Sequence, residues 1–531
     1  MAIMAAAVPA HSQSDDMRAL EEVRNTVINL LEALVQKGVM TREQAEAMVA
    51  AAQQKATADA QVRAEQAAAE QDAVRVTYVP EIVRKQISDQ VRADIKEEVT
   101  QDVMAQAKSA GWGVPGALPD WIKDVSVYGD ARLRSERDLY ASDNVKNLYL
   151  DFNAVNDAGG IGLADEAALL NTTEDRTRLV GRVRAGIAAQ LGNAFSVDVR
   201  LASGNARTPV STNQTLGSYA GRWSFNVDKA AVLWNPLNQA RNREGELRFG
   251  RFDNPFMQSS ELLWDSDVTF DGIAATYAMD LFGREPERME RGLFFTVGAF
   301  PLQEVELSQD DKWLYAGQVG SQLPLGSQSL LRLTAGYFRY DNAVGVRNSF
   351  DSTVFDFTAP QFLQKGNTLF DIRNDADGGT ELFALAGEYE IASVGAALDL
   401  GFGATHVTLS GEYVKNIGWD AQDVLRRTGL LLEERTAGYD FGVTVGRPTL
   451  SQLGDWRTSL SYRYLQRDAV LDAFADSDFH LGGTDAKGYQ LGFDLGLSYG
   501  AWLRMRYITA NEIDGLPLGI DVWQLDLNGK F

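Results

Sequence analysis

The chain has 531 residues, 45% of them hydrophobic, 10% aromatic and 23% charged, with a formal net charge of −23. Mean hydropathy is −0.22, and no run of 18 apolar residues occurs, which excludes a membrane-spanning helix; the acidity argues against a nucleic-acid partner. Cysteine is absent, which excludes disulfides, zinc–thiolate sites and thiol catalysis.

Residues 1–13 read as a signal-peptide remnant or a flexible end. An apolar run gives way to the small residues Ala10 and Ser12, without a basic start. Residues 14–110 read as α-helix. Leu20, Val23, Val27, Leu30 and Leu34 are spaced by three and four, a short coiled-coil seam. Thr41 and Gln44 form a capping box for a second helix, and Pro80 suits the first turn of a third. Two readings stand for this segment. One is a periplasmic coiled coil that trimerises or reaches peptidoglycan; the other is a solvated spacer. Residues 111–123, with Gly111, Gly113, Pro115, Gly116 and Pro119, read as a linker.

From residue 124 to 531 the period changes to two, which predicts an all-β transmembrane barrel. Val125, Val127, Gly129, Ala131 and Leu133 oppose Ser126, Tyr128, Asp130, Arg132 and Arg134. Leu179, Val183, Ala185, Ile187 and Leu191 oppose Arg176, Arg178, Arg182 and Arg184. An arginine facing lipid at mid-membrane costs about 2–4 kcal/mol, and a one-residue slip would expose this whole row. These arginines must therefore face water, which in a barrel lies inside. Trp523, Leu525, Leu527 and Phe531 form the lipid-facing row of the last strand. The pattern predicts about 16 antiparallel strands, the tenth centred near 387. The long gaps 139–172, 342–380 and 415–434 are expected to be extracellular, and the short turns near 192 and 500 periplasmic.

Leu118-Pro119-Asp120-Trp121 followed by Val127-Tyr128-Gly129-Asp130-Ala131-Arg132-Leu133-Arg134 resembles the bacterial "putative porin" family. So do Glu174–Arg178, the run Phe249–Phe256 and the terminal Phe531. The resemblance covers residues 112–531. It implies an outer-membrane barrel in lipid and lipopolysaccharide, a homotrimer like the familiar 16-stranded porins, and a C-terminal signal read by the barrel-assembly machinery on Phe531, Leu527, Leu525 and Trp523.

A barrel this wide leaves an aqueous pore. Arg132, Arg134, Arg176, Arg178, Arg182, Arg184 and Arg200 project inward from the first three strands. Arg463, Arg504, Arg506 and Lys530 project inward near the end, so closure would join them into a basic wall. The segment Phe252–Asp267, with Asp253, Glu261, Asp265 and Asp267, stands where familiar porins fold a loop into the lumen, and it is shorter than many of those loops. A basic wall facing an acidic loop gives a transverse field that favours polar solutes, with a preference for anions. In the alternative reading the arginines are structural, paired with carboxylates such as Asp130, Asp175 and Asp198.

Enzymatic motifs are missing. His406 reads as a lumen side chain beside Thr408 and Ser410 rather than part of a hydrolase site. No metal or cofactor is expected, and Asn374–Gly379 reads as a solvated turn rather than a calcium loop. Passive diffusion of small hydrophilic solutes is the leading function. A channel selective for anions or sugars and an envelope tether are the alternatives.

Overall fold

The computed structural model describes residues 124–164, 168–237, 243–281 and 292–531, together with a few helical positions between Glu46 and Thr57. The expected signal remnant, the linker and the coiled coil of 14–110 lie outside the described residues, apart from those few positions. The chain divides into two compact units, residues 1–110 and 111–531.

The second unit is a closed antiparallel barrel. Its sixteen strands are β1 (Val125–Tyr140), β2 (Arg176–Leu191), β3 (Phe195–Ser203), β4 (Phe225–Trp234), β5 (Arg243–Asp253), β6 (Thr269–Met279), β7 (Gly292–Gln303) and β8 (Lys312–Pro324), followed by β9 (Leu330–Asp341), β10 (Glu390–Phe402), β11 (Thr405–Asn416), β12 (Ala437–Gly446), β13 (Trp456–Leu465), β14 (Ala486–Ser498), β15 (Ala501–Glu512) and β16 (Gly519–Lys530). Each pairs with the next, and β1 pairs with β16 from Asp130 opposite Lys530 to Tyr140 opposite Ile520. The seam is completed by Phe531, whose N–H donates to the Gly129 carbonyl at 3.0 Å. Closure leaves no free sheet edge, so every strand can satisfy its backbone groups without water.

Connections alternate in length. Turns of a few residues close one rim, where Gly192, Gly403 and Gly500 adopt φ of 68°, 69° and 73°, the left-handed region that glycine reaches without strain. The connections 141–175, 204–224, 342–389, 417–436 and 466–485 all lie at the other rim. The even strand count puts both barrel ends at the short-turn rim.

Outward positions carry the apolar row. Leu133, Leu179, Ile187, Leu491, Leu525 and Leu527 are exposed on the outer face. Aromatic residues mark both rims: Tyr315, Tyr413, Tyr489 and Trp523 on one side, Trp234, Phe402, Trp456 and Tyr499 on the other. Tyr489 and Tyr499 are ten residues apart. At a rise of about 3.3 Å and a tilt near 40°, that separation spans roughly 25 Å, the height of the apolar band of outer-membrane barrels.

Three expectations need correction. The tenth strand begins at Glu390 rather than being centred near 387. Tyr389, fully buried, is drawn into the loop layer, where its hydroxyl donates to Asp468 at 2.9 Å. The apolar/polar alternation also fails on one arc. On β7 to β9 the inward residues are themselves apolar, among them Phe294, Phe300, Leu314, Ala316 and Phe338. Finally, the lumen is not simply open: Phe256, Leu262, Leu263, Trp264, Leu363 and Val470 from the long connections pack on that arc as a dry core. Burying a large aromatic or aliphatic side chain is worth about 1.5–3 kcal/mol, enough to hold loops inside the barrel.

Candidate functional site at the lumen constriction

The inward residues of β13 to β2 are charged and interleaved. Arg457 stands opposite Asp494, Asp494 opposite Arg504, Arg504 opposite Asp526, and Asp526 opposite Arg134. The result is a belt of alternating sign across five neighbouring strands. Arg457 and Arg504 each approach Asp494 to 2.6 Å, and Arg134 reaches Asp526 at 2.8 Å. Like charges directly opposite would repel, whereas opposite charges attract, so the register itself sets the order of the belt. Arg134 is 1% exposed and donates to both Asp526 and Asp478.

Two connections fold against this wall. In 254–268, Asp267 accepts from Arg182 at 3.2 Å and Arg184 at 3.1 Å, and Asp130 pairs with the same two arginines at 2.9 and 2.8 Å. The far side of the same loop is fixed to the opposite wall. Ser260 donates its N–H and hydroxyl to Glu412 on β11, at 3.0 and 2.6 Å. The loop therefore crosses the lumen. In 466–485, Asp478 bonds to Arg134 and Arg506, and Asp476 bonds to Arg463 at 2.8 Å. The two loops are tied together: Asp265 donates its N–H to the Phe474 carbonyl, and Ser477 donates its N–H and hydroxyl to the Asp265 carboxylate at 2.9 Å each.

Between wall and loops lies a slot of about 80 Å³. Arg132, Arg182, Arg504 and Arg506 line one side; Glu261, Asp265, Asp267, Asp476 and Asp478 line the other. A water occupies about 30 Å³ in the liquid, so the slot has the volume of about two or three waters. Burial, with Asp476 nearby, pushes Glu261 up to about 7. Burial, with Asp476, Glu261 and Asp267 nearby, pushes Asp265 up to about 8. Burial alone would raise Asp478, but Arg134, Arg506 and Arg132 overcome it and hold that carboxyl well below the usual range.

The sequence-predicted residues fall into groups. Arg132, Arg134, Arg182, Arg184, Arg504 and Arg506 meet Glu261, Asp265 and Asp267 at the constriction. Arg178 pairs with Glu136. Arg200 and Lys229 share Asp253, which lies at the end of β5 and outside the slot. Arg463 pairs with Asp440 as well as Asp476. Arg176 and Lys530 are exposed at opposite ends of β2 and β16. Arg132 donates to Asn213 at 2.6 Å, and among the described residues it has no carboxylate partner within ion-pair distance. Of the pairings expected in the structural reading, Asp130 holds two arginines, Asp198 holds Lys229 at 2.9 Å, and Asp175 instead accepts the Tyr140 N–H. Asp476 and Asp478 were missed. The signal for them was the acidic run after Leu471, set in a gap too long for a simple turn.

His406 faces the lumen beside Asp399, 3.0 Å away, with Thr408 bonded to the same carboxylate. Asp375 and Asp377 accept from amides of their own turn, Asp377 and Gly379.

The model of the "Putative porin" family matches residues 24–531. The chain belongs to that family. It is thus an outer-membrane channel protein of the porin class, and membership extends over the whole barrel and most of the N-terminal unit. No curated protein matches the sequence. Solved structures similar to this porin include OprB of Pseudomonas putida at high pH, with 11% identity over 77% of this chain and 95% of that one, TM-score 0.43. The outer-membrane channel DcaP of Acinetobacter baumannii and OmpF of Salmonella typhi in complex with daunomycin each share 11% identity over 77% of this chain and 97% of theirs, TM-score 0.39.

Proposed function

We propose that this porin conducts small hydrophilic solutes by passive diffusion through the slot between the arginine-bearing wall and the two acidic loops. The observation that carries the reading is the water-sized gap with Arg132, Arg182, Arg504 and Arg506 on one side and five carboxylates on the other. Fixed charges of opposite sign across so narrow a gap order water and polar solutes, while apolar solutes lose hydration without compensation. Arg132, which has no carboxylate partner among the described residues, is the wall residue most available to a passing anion. The paired arginines shape the slot.

The short-turn rim is read as periplasmic and the long-loop rim as extracellular, with lipid and lipopolysaccharide around the aromatic bands. The same reading makes the channel a homotrimer. It gives the row Trp523, Leu525, Leu527 and Phe531 to the barrel-assembly machinery, and it gives residues 14–110 a periplasmic role in trimerisation or peptidoglycan contact. Planar-bilayer recording tests the channel: expected are discrete conductance steps and a reversal potential set by the slot charges. A purified, folded barrel that never conducts would end this reading. Deleting residues 14–110 tests the tether, with detachment of the envelope at unchanged conductance as the expected sign.

A further inference from the structure

The connection 254–268 has two faces. One carries Glu261, Asp265 and Asp267 into the slot; the other roofs a separate cavity of about 530 Å³ on the inner wall of β5 to β8. That volume falls within the range of small-molecule sites, about 300–1,000 Å³. Its apolar surface comes from Pro255, Phe256 and Met257 above and from Ala278 and Phe294 on the wall. The roof is fixed in place. Gln318, 7% exposed, accepts from the Met257 N–H and donates to the Met257 carbonyl, both at 2.8 Å. Phe294 is held over Gly320, where any Cβ would clash with its ring.

The polar groups are few. Thr276 and Thr296 share a hydroxyl–hydroxyl bond of 3.2 Å, and Gln322 and Glu244 complete the lining. Among the described residues Glu244 is the one charged residue in the lining, and the arginines of the slot are not part of it. An aromatic or aliphatic ring gains by leaving water against Phe256, Met257 and Phe294. Hydroxyl groups on such a solute can reach the threonines, Gln322 and Glu244. A carboxylate would meet Glu244 with no cation among the described lining residues to offset it.

We propose that this cavity is a second solute-binding site, distinct from the slot, for uncharged solutes that join one apolar ring to a hydroxyl-bearing head. Binding is measured by saturation-transfer NMR on the full chain in nanodiscs, so that the result does not depend on conduction. The probe is phenyl β-D-glucopyranoside, with methyl β-D-glucopyranoside as the ring-less control and benzoate as the charged one. The expected result is phenyl-ring saturation at least tenfold stronger than either control gives. It should be lost in Ala278→Trp, which fills the cavity from β6, and kept in Arg132→Gln, which alters only the slot. Met257→Gln, which keeps the side-chain length but wets the roof, should weaken binding at least threefold even if Ala278→Trp fails to assemble. Equal binding of either control, full binding in both cavity variants, or loss of binding in Arg132→Gln would overturn the proposal.

Discussion

Two halves of one lumen wall hold their loops by different means. From β13 round to β3, inward positions carry arginine and aspartate in register, and 466–485 is fastened there through Asp476 and Asp478. From β5 to β11 the inward positions carry Phe252, Phe270, Phe300, Leu314, Phe338 and Val414, and Trp264 of 254–268 is buried among them at 1% exposure. The contrast separates two jobs. Apolar packing is non-directional and sets how far a loop enters the barrel. Charge pairing is directional and sets which atoms face the remaining water. Neither half alone would leave a slot: packing without charge would close it, and charge without packing would leave the loops hydrated and unplaced.

The largest effect is expected on the apolar half. Trp264→Ala should cost about 3–5 kcal/mol of barrel stability, seen as a lower temperature for loss of heat-resistant gel migration. Charge preference should stay unchanged; a changed preference would show the two halves to be coupled. Next comes the charged half. Asp478→Asn leaves Arg134 and Arg506 without one charged partner, at a cost of about 1.5–3 kcal/mol. It should also raise single-channel conductance as 466–485 loosens, and unchanged conductance would remove that loop from the constriction.

The third prediction concerns pH. Glu261 and Asp265 titrate near 7 and 8 in the fold, above the ordinary carboxylate value of about 4. Between about pH 4 and 8 the folded barrel therefore binds more protons than the unfolded chain, so these two groups make stability fall as pH rises through that window. The same deprotonation changes the slot. Ionisation of Glu261 and Asp265 adds negative charge opposite the slot's four arginines. The reversal potential under a salt gradient should move from anion towards cation preference on alkalinisation, and Glu261→Gln with Asp265→Asn should flatten that response. The smallest effect on stability is expected for Arg132→Gln, within about 0.5 kcal/mol because no carboxylate is stranded. Its anion permeability should nonetheless drop; a variant with wild-type selectivity would take Arg132 out of the solute path.

The barrel was legible because lipid enforces a strict alternation outside. Arg182 and Leu179 cannot exchange faces, so register could be read from the chain alone. The inside is less constrained. On β7 to β9, Phe294 and Phe295 sit on opposite faces and are both apolar, and nothing local says that one meets lipid and the other a loop. The inward fold of 254–268 was readable because the segment follows the fifth strand. Asp476 and Asp478 were not, because their partners Arg463, Arg134 and Arg506 come from three different strands and meet them only when the loop turns inward. The interleaving of the arginine wall followed from cross-strand register, which needs the strand ends to be known to the residue.

The seam between β1 and β16 has a consequence for biogenesis. Arg134 meets Asp526 across 392 residues of chain, so this pair forms only when the first and last strands of the barrel meet. A chain lacking β16 would leave β1 with an unpaired edge, and Arg134 would keep Asp478 and Glu136 but lose the Asp526 carboxylate. Docking of β16 thus closes the sheet and completes the set of charges around Arg134 together, so sealing of the cylinder and wiring of its lumen are one event.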